Sequence, residues 1–157
     1  MTIQVGDTLP AVNVTTMTNE GPKPTAINEL CSGKKVVIFA VPGAFTPTCS
    51  VQHLPGFIEN SQALKDKGVD LVACISVNDP FVMDAWRRSY SLKDQITFLA
   101  DVNGNFTKCI GAEFNWRGWG LRSKRYTMLL ENGIVKKLVE EEGKCELTAA
   151  ENFLKDI

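Results

Sequence analysis

The sequence has a single histidine, His53, and no Cys-x-x-Cys pair, so its five cysteines lack the partners and spacing of a structural zinc site. No metal is expected. Because five is an odd number, Cys31, Cys49, Cys74, Cys109 and Cys145 cannot all pair within the chain, and their irregular intervals do not form the framework of a small secreted domain. Reduced thiols in a reducing compartment fit better. Positive charge is not in excess either: 17 basic against 18 acidic side chains give a formal net charge of -1, which leaves no field to hold a nucleic-acid backbone. No apolar run approaches the roughly 20 residues that span a bilayer, and the N-terminal residues have neither the basic region nor the apolar core of a signal peptide. A soluble cytoplasmic protein without nucleic-acid or membrane partners is expected, or an organellar one if a transit peptide has been removed.

Low-complexity tracts are also missing. With 44% hydrophobic and 22% charged side chains, the 157 residues suit one domain spanning 1–157. Lys35 to Val41 is short, apolar and rich in β-branched residues, and reads as a buried central strand ended by Pro42-Gly43. A helix should follow, capped by Thr46 with Pro47 at its first position, running through Cys49, bending near Pro55-Gly56 and stopping at Gly68. Val69 to Val77 repeats the strand pattern. Asp79 then caps a helix that begins at Pro80, reaches about Tyr90, and carries Val82, Met83 and Trp86 on one face.

This strand-helix-strand order implies parallel neighbours. A short strand at Ile96 to Ala100 and a short helix at Asn103 to Ile110 come next. Arg125 to Glu131 and Ile134 to Val139 flank Asn132-Gly133, the dipeptide of a type I′ hairpin, so the sheet is mixed. Thr148 and Glu151 have the spacing of a capping box for a closing helix. Glu113 to Lys124 shows no periodicity and, with Trp116 and Trp119, reads as a loop over a site or a partner subunit. The only basic cluster, Arg122, Lys124 and Arg125, should border a site or a strand. The expected fold class is therefore α/β, a mixed central sheet with helices on both faces.

One segment carries chemistry. Val41-Pro-Gly-Ala-Phe-Thr-Pro-Thr-Cys-Ser50 places a thiol in the first turn of a helix directly after a buried strand, where free amides and the helix dipole favour thiolate over thiol. Thr46 can turn its hydroxyl toward the same pocket, and Pro42 can wall it without adding a donor. On geometry alone a reactive Cys49 and an inert buried one remain open.

The spacing Pro42-x-x-x-Thr46-x-x-Cys49 resembles the active-site motif of the peroxiredoxins. The longer string, with His53-Leu-Pro-Gly-Phe57 and Ser76-Val-Asn-Asp-Pro-Phe-Val-Met83, is similar to the peroxiredoxin-5 or type II group, and the likeness runs from Val5-Gly-Asp7 to the last helix. It implies a thioredoxin-like fold and a thiol peroxidase that reduces hydrogen peroxide, organic hydroperoxides and peroxynitrite through a sulfenic acid on Cys49. Arg125 falls on the family's catalytic arginine. Thr46, Pro42 and the Cys49 amide complete the site, and no cofactor is implied. The reductant would be glutathione, glutaredoxin or thioredoxin.

Two other cysteines fall in regions where relatives carry a second thiol, although Gly143-Lys-Cys-Glu-Leu147 does not match the usual context of a resolving cysteine. Cys145 lies in the C-terminal region used for resolution, and Cys74 occupies the strand in which plant type II members have a cysteine. Cys74 sits inside an apolar run, which favours packing over resolution. Cys31 and Cys109 match no such role. His53 could tune the thiolate or bond a backbone carbonyl at the kink before Pro55. A homodimer using Phe45, Pro80, Phe81 and the Trp-bearing loop is implied. Two rival functions differ from this reading. A thioredoxin-type oxidoreductase is disfavoured by Gln52, where its second cysteine would fall, and a peroxide sensor or relay would lack turnover with small thiols.

Overall fold

The computed structural model describes residues 1–157, apart from the side chain of Asp156. Two strands open the chain, β1 (Asn13–Thr18) and β2 (Gly21–Ala26), followed by helix α1 (Ile27–Cys31) and strand β3 (Lys35–Ala40). After the loop that bears Pro42, a π-helical turn (Cys49–His53) leads into α2 (Leu54–Glu59) and α3 (Ser61–Asp66). Strand β4 (Leu71–Ser76), helix α4 (Pro80–Arg88), strand β5 (Thr97–Ala100) and helix α5 (Asn105–Cys109) complete the parallel part. A small hairpin, β6 (Glu113–Asn115) with β7 (Leu121–Ser123), precedes the long strands β8 (Arg125–Glu131) and β9 (Ile134–Glu141) and the closing helix α6 (Ala150–Phe153).

Seven strands form the main sheet in the order β2-β1-β5-β4-β3-β8-β9. β3 runs parallel to β4, and β4 to β5, while β8 pairs antiparallel with both β3 and β9. The alternation of β3 divides the core. Val37, Phe39 and Val41 join Leu54, Phe57, Leu64, Met83, Trp86 and Phe153 on one side, whereas Val36, Ile38 and Ala40 meet Ile27, Phe106 and Ile110 on the other. Helices thus cover both faces of a mixed sheet, as the apolar runs imply. Each fully buried Phe or Leu contributes roughly 1.5–3 kcal/mol of hydrophobic stabilisation.

Several local expectations are corrected. The first two strands were not legible as such, because β2 carries Pro22 and Pro24, which are tolerated only because it is an edge strand. Glu113 to Lys124 is a short hairpin rather than an unstructured loop. The helix after Cys49 breaks at Asn60, past the expected Pro55-Gly56 bend, which becomes instead the exit of the π turn. Asp79 does cap α4, accepting from the Val82 amide at 2.8 Å. Asn132 and Gly133 have φ of 51° and 75°, the pair of positive angles that a type I′ turn requires.

No capping box forms at Thr148. Its hydroxyl donates to Glu141 at 2.5 Å, and the residue at the start of α6 is Ala149, which has no side chain to cap with. Glu141 ends β9 opposite Arg125. Its carboxylate also accepts from the amides of Glu146 (2.9 Å), Leu147 (2.7 Å) and Thr148 (2.8 Å), so one side chain folds residues 142–148 back along the sheet. Burial alone would raise its pKa, but the hydrogen bonds from Thr148, Glu146 and Leu147 outweigh it and hold the carboxyl at about 2.

Released from the fold, this carboxyl returns toward 4.5. The unfolded chain therefore binds more protons, and the stabilisation is complete above about pH 4.5 and is lost as pH falls toward about 2. Glu141→Gln should cost on the order of 2 kcal/mol at neutral pH. It should also flatten the dependence of the melting temperature on pH between about 5 and 3. An unchanged slope in that window, read by calorimetry, would show that Glu141 does not anchor the segment.

Candidate active site

The site is built where β3 hands the chain to the π turn. Thr46 holds the connecting loop but does not cap the helix with its side chain: its hydroxyl donates to the Gly43 carbonyl at 2.6 Å, and its own carbonyl accepts from the Ser50 amide at 2.9 Å. The π turn has an identifiable cause in the sequence. Pro55 has no N–H and its ring crowds the carbonyl four residues back, so the turn widens and the Leu54 amide bonds the Cys49 carbonyl, five residues back. In that pattern the Ser50 carbonyl would need an amide from Pro55. Tyr90 supplies the missing donor, its hydroxyl reaching the Ser50 carbonyl at 2.7 Å, and Trp86 Nε1 donates to Ser50 Oγ at 3.0 Å.

The wide turn presents Cys49 and His53 to one guanidinium. Arg125, at the start of β8, donates from Nη2 to Cys49 Sγ at 3.2 Å and from Nη1 to His53 Nδ1 at 2.8 Å. The arginine is 5% exposed, Cys49 is 1% exposed and His53 is fully buried. Among the described residues no carboxylate lies within ion-pair distance of Arg125. A buried cation without an anion is costly, and the two side-chain groups that accept from it are the Cys49 sulfur and the His53 ring nitrogen.

His53 has only one tautomer available here. Nδ1 faces an arginine N–H and must accept, so Nε2 carries the proton and donates to the Thr148 carbonyl at 3.2 Å. Burial, then the Arg125 charge, hold its pKa at about 3 against the opposing effects of the Thr148 carbonyl and Glu141. Thr127 donates to the same carbonyl at 2.7 Å. The expected carbonyl bond of His53 is therefore made, but to the segment that Glu141 folds back and not to the kink before Pro55.

Pro42, Thr46 and Arg125 line one cleft with Phe45, Trp116 and Arg122, so the hairpin β6–β7 forms part of its wall, and the basic cluster borders it. Cys74 is fully buried on the Cys49 side of the sheet, and burial first, then the Cys49 charge, raises its pKa well above the ordinary value against the pull of Arg125. Cys145 is partly buried beside Thr148, 3.9 Å from that hydroxyl, and its pKa is also raised, chiefly by burial. Cys31 is buried and pushed to about 11, and Cys109 is exposed on α5.

Sequence reasoning did not find Thr127, Tyr90 or Glu141. One signal was present: Arg125 and Thr127 are polar at alternate positions of a strand that is otherwise apolar up to Leu130, and so point to the same face.

The redoxin family model matches residues 4–154. Peroxiredoxin-2E, chloroplastic, of Arabidopsis thaliana is 45% identical over 98% of this chain and 68% of its own length. Peroxiredoxin-2C of Oryza sativa subsp. japonica is also 45% identical, over 98% of this chain and 97% of its own. Among solved structures, reduced Prx3 from Vibrio vulnificus in complex with hydrogen peroxide superposes with a TM-score of 0.93 at 48% identity, covering 98% of both chains. Peroxiredoxin 5 from Alvinella pompejana gives 0.85 at 32% identity over 98% of this chain and 96% of that one. Likeness of this degree along the whole thioredoxin-like fold shows that the chain belongs to the peroxiredoxins, in their type II group, and that its activity is that of a thiol peroxidase.

Proposed function

We propose that Cys49 is the nucleophile, that it reacts as a thiolate, and that Arg125 holds it in that state and receives the charge that moves onto the peroxide. One observation carries this reading: the 3.2 Å contact from a buried guanidinium that has no carboxylate partner among the described residues. The thiolate attacks the terminal oxygen of the hydroperoxide. A sulfur–oxygen bond forms as the oxygen–oxygen bond breaks, sulfur loses two electrons, and the second oxygen leaves as alkoxide or hydroxide and takes up a proton. Arg125, with its N–H donors fixed by His53 and the sulfur, stabilises that negative charge. Thr46 has its proton committed to Gly43, which leaves its oxygen free to accept from the peroxide hydroxyl. Pro42 walls the pocket beside it.

Sulfenic acid on Cys49 then needs a second thiol, which forms a disulfide with release of water. An external thiol is the reading favoured by the other cysteines. Cys74 is sealed in the core, and Cys145 is held by a segment that Glu141 ties down. Glutathione, with or without glutaredoxin, or thioredoxin would serve. A second copy of the chain would cover exposed Phe81 at the start of α4, whose approach is tied to the loop after β3 by the bond from the Ala44 amide to Asn78. Sedimentation at micromolar concentration should then show a dimer.

Cys49→Ser should abolish turnover while keeping the fold. Arg125→Ala should slow Cys49 oxidation on the order of a hundredfold or more, the loss typical of a transition-state charge donor. If stopped-flow oxidation rates of the Arg125 variant match the parent, the arginine has no catalytic part. His53→Leu should slow the same step by freeing Arg125, and His53→Gln, which can accept and donate at similar places, should restore part of it. A deficit equal in both variants would remove the positioning role.

Because His53 is held at about 3, the unfolded chain, with the imidazole back near 6.5, binds more protons between those values. Stability should therefore fall as pH drops below about 6.5, while activity shows no separate limb from the imidazole. Intact mass after one equivalent of peroxide should show one added oxygen. Loss of two hydrogens instead would identify an internal disulfide and contradict external resolution. Repeated turnover with glutathione or thioredoxin as sole reductant distinguishes the enzyme from a sensor or relay.

A further inference from the structure

The cleft lined by Pro42, Thr46 and Arg125 is much larger than the smallest peroxide needs. It holds about 920 Å³, whereas a water molecule takes up roughly 30 Å³ of the liquid and hydrogen peroxide has only two heavy atoms. A volume of this order encloses organic molecules of moderate size. Its lining falls into two chemistries. Phe45, Phe114, Trp116 and Trp119 give an aromatic wall, and Arg117, Arg122 and Lys124 add cations beyond Arg125.

Arg122 is the best seated of these cations. Half-buried, it donates from Nη1 to the Pro42 carbonyl at 3.3 Å. The seat exists because Gly43 has no side chain: a Cβ there would stand 2.8 Å from that nitrogen. Its remaining N–H donors, and the ammonium of half-buried Lys124, have no carboxylate partner among the described residues. Glu141 also reaches the cleft, but its carboxylate is saturated by three amides and a hydroxyl. The other acid on the lining is the exposed Glu142.

Backbone strain is concentrated on the same walls. Phe45 and Arg117 have φ of 65° and 54°, in the left-handed region that bulky residues avoid. Both are braced by aromatic contacts, Phe45 against Trp86 with centroids 6.5 Å apart and the Arg117 guanidinium 5.6 Å above Trp119. Strain of this kind persists where the surrounding structure over-determines it, commonly around ligands.

We propose that the cleft selects organic hydroperoxides bearing a carboxylate on an apolar body, with Arg122 and Lys124 receiving the carboxylate and the aromatic wall receiving the carbon chain. This rests on Cys49 being the peroxide-reducing thiol. The bond changes are those of the parent reaction: the terminal oxygen passes to sulfur, and the carbon-bound oxygen leaves as an alkoxide that is protonated to give a hydroxy acid. Glutathione shares the carboxylate chemistry, but it is polar throughout and brings an ammonium of its own. It would leave the four rings unfilled and set a cation among cations.

The test compares linoleic acid hydroperoxide with its methyl ester, both below the concentration at which they form micelles, with hydrogen peroxide alongside. In the parent protein kcat/KM should be about ten-fold higher for the acid, the effect of one partly exposed charge pair. Raising the salt concentration should shrink that ratio. The double variant Arg122→Gln/Lys124→Gln should bring the ratio near one, and using a ratio cancels any general loss of activity. A ratio of one in the parent, or a ratio unchanged in the variant, overturns the selection of carboxylates while leaving the peroxidase reading standing. Failure of all three peroxides to oxidise Cys49 would overturn both.

Discussion

A guanidinium sealed inside a protein needs an acceptor beside it, and in this chain the groups that face it are a sulfur and an imidazole nitrogen. Arg125 reaches Cys49 at 3.2 Å with no carboxylate in ion-pair range among the described residues. The need is mutual. A thiolate buried without donors would be expelled or protonated, and an arginine buried without an anion would destabilise the fold. A carboxylate on Arg125 would compete with the sulfur for the same N–H donors, so its absence among the described residues leaves those donors to Cys49 and His53.

Much of the surrounding architecture serves to hold that pair in place. Neutral His53 accepts from Arg125 without adding charge, which a carboxylate in its place could not do. The carbonyl that fixes the ring belongs to Thr148, and Thr148 is held by Glu141. Pro55 opens the π turn that lets Cys49 and His53 face one guanidinium, and Tyr90 satisfies the carbonyl that the proline leaves without a partner. These contacts come from four parts of the chain. Each fixes a hydrogen-bonding direction, so that little reorganisation is needed when charge shifts during reaction.

Legibility in the sequence followed the range of the forces involved. β3, β4 and α4 could be read because apolar periodicity and the Asp79-Pro80 cap are local signals. The hairpin at Asn132-Gly133 was equally plain, since its two positive φ angles need those residues. β2 was hidden by Pro22 and Pro24, which contradict a strand until its edge position is known. Thr148 was misread as a cap because a capping-box spacing is satisfied by chance when a stronger acceptor, Glu141, is folded against it. Cys49 stood out by its place at a helix start after a buried strand, whereas Arg125 was singled out only through resemblance. Their meeting across 76 positions leaves no trace in spacing, composition or charge.

The most direct measurement of the central claim is an ultraviolet difference spectrum at neutral pH, reduced parent protein minus Cys49→Ser. An arginine-held sulfur predicts a thiolate band in the difference, lost on acidification and on stoichiometric addition of peroxide. A flat difference spectrum at neutral pH would contradict it, because the buried guanidinium would then be facing a neutral thiol.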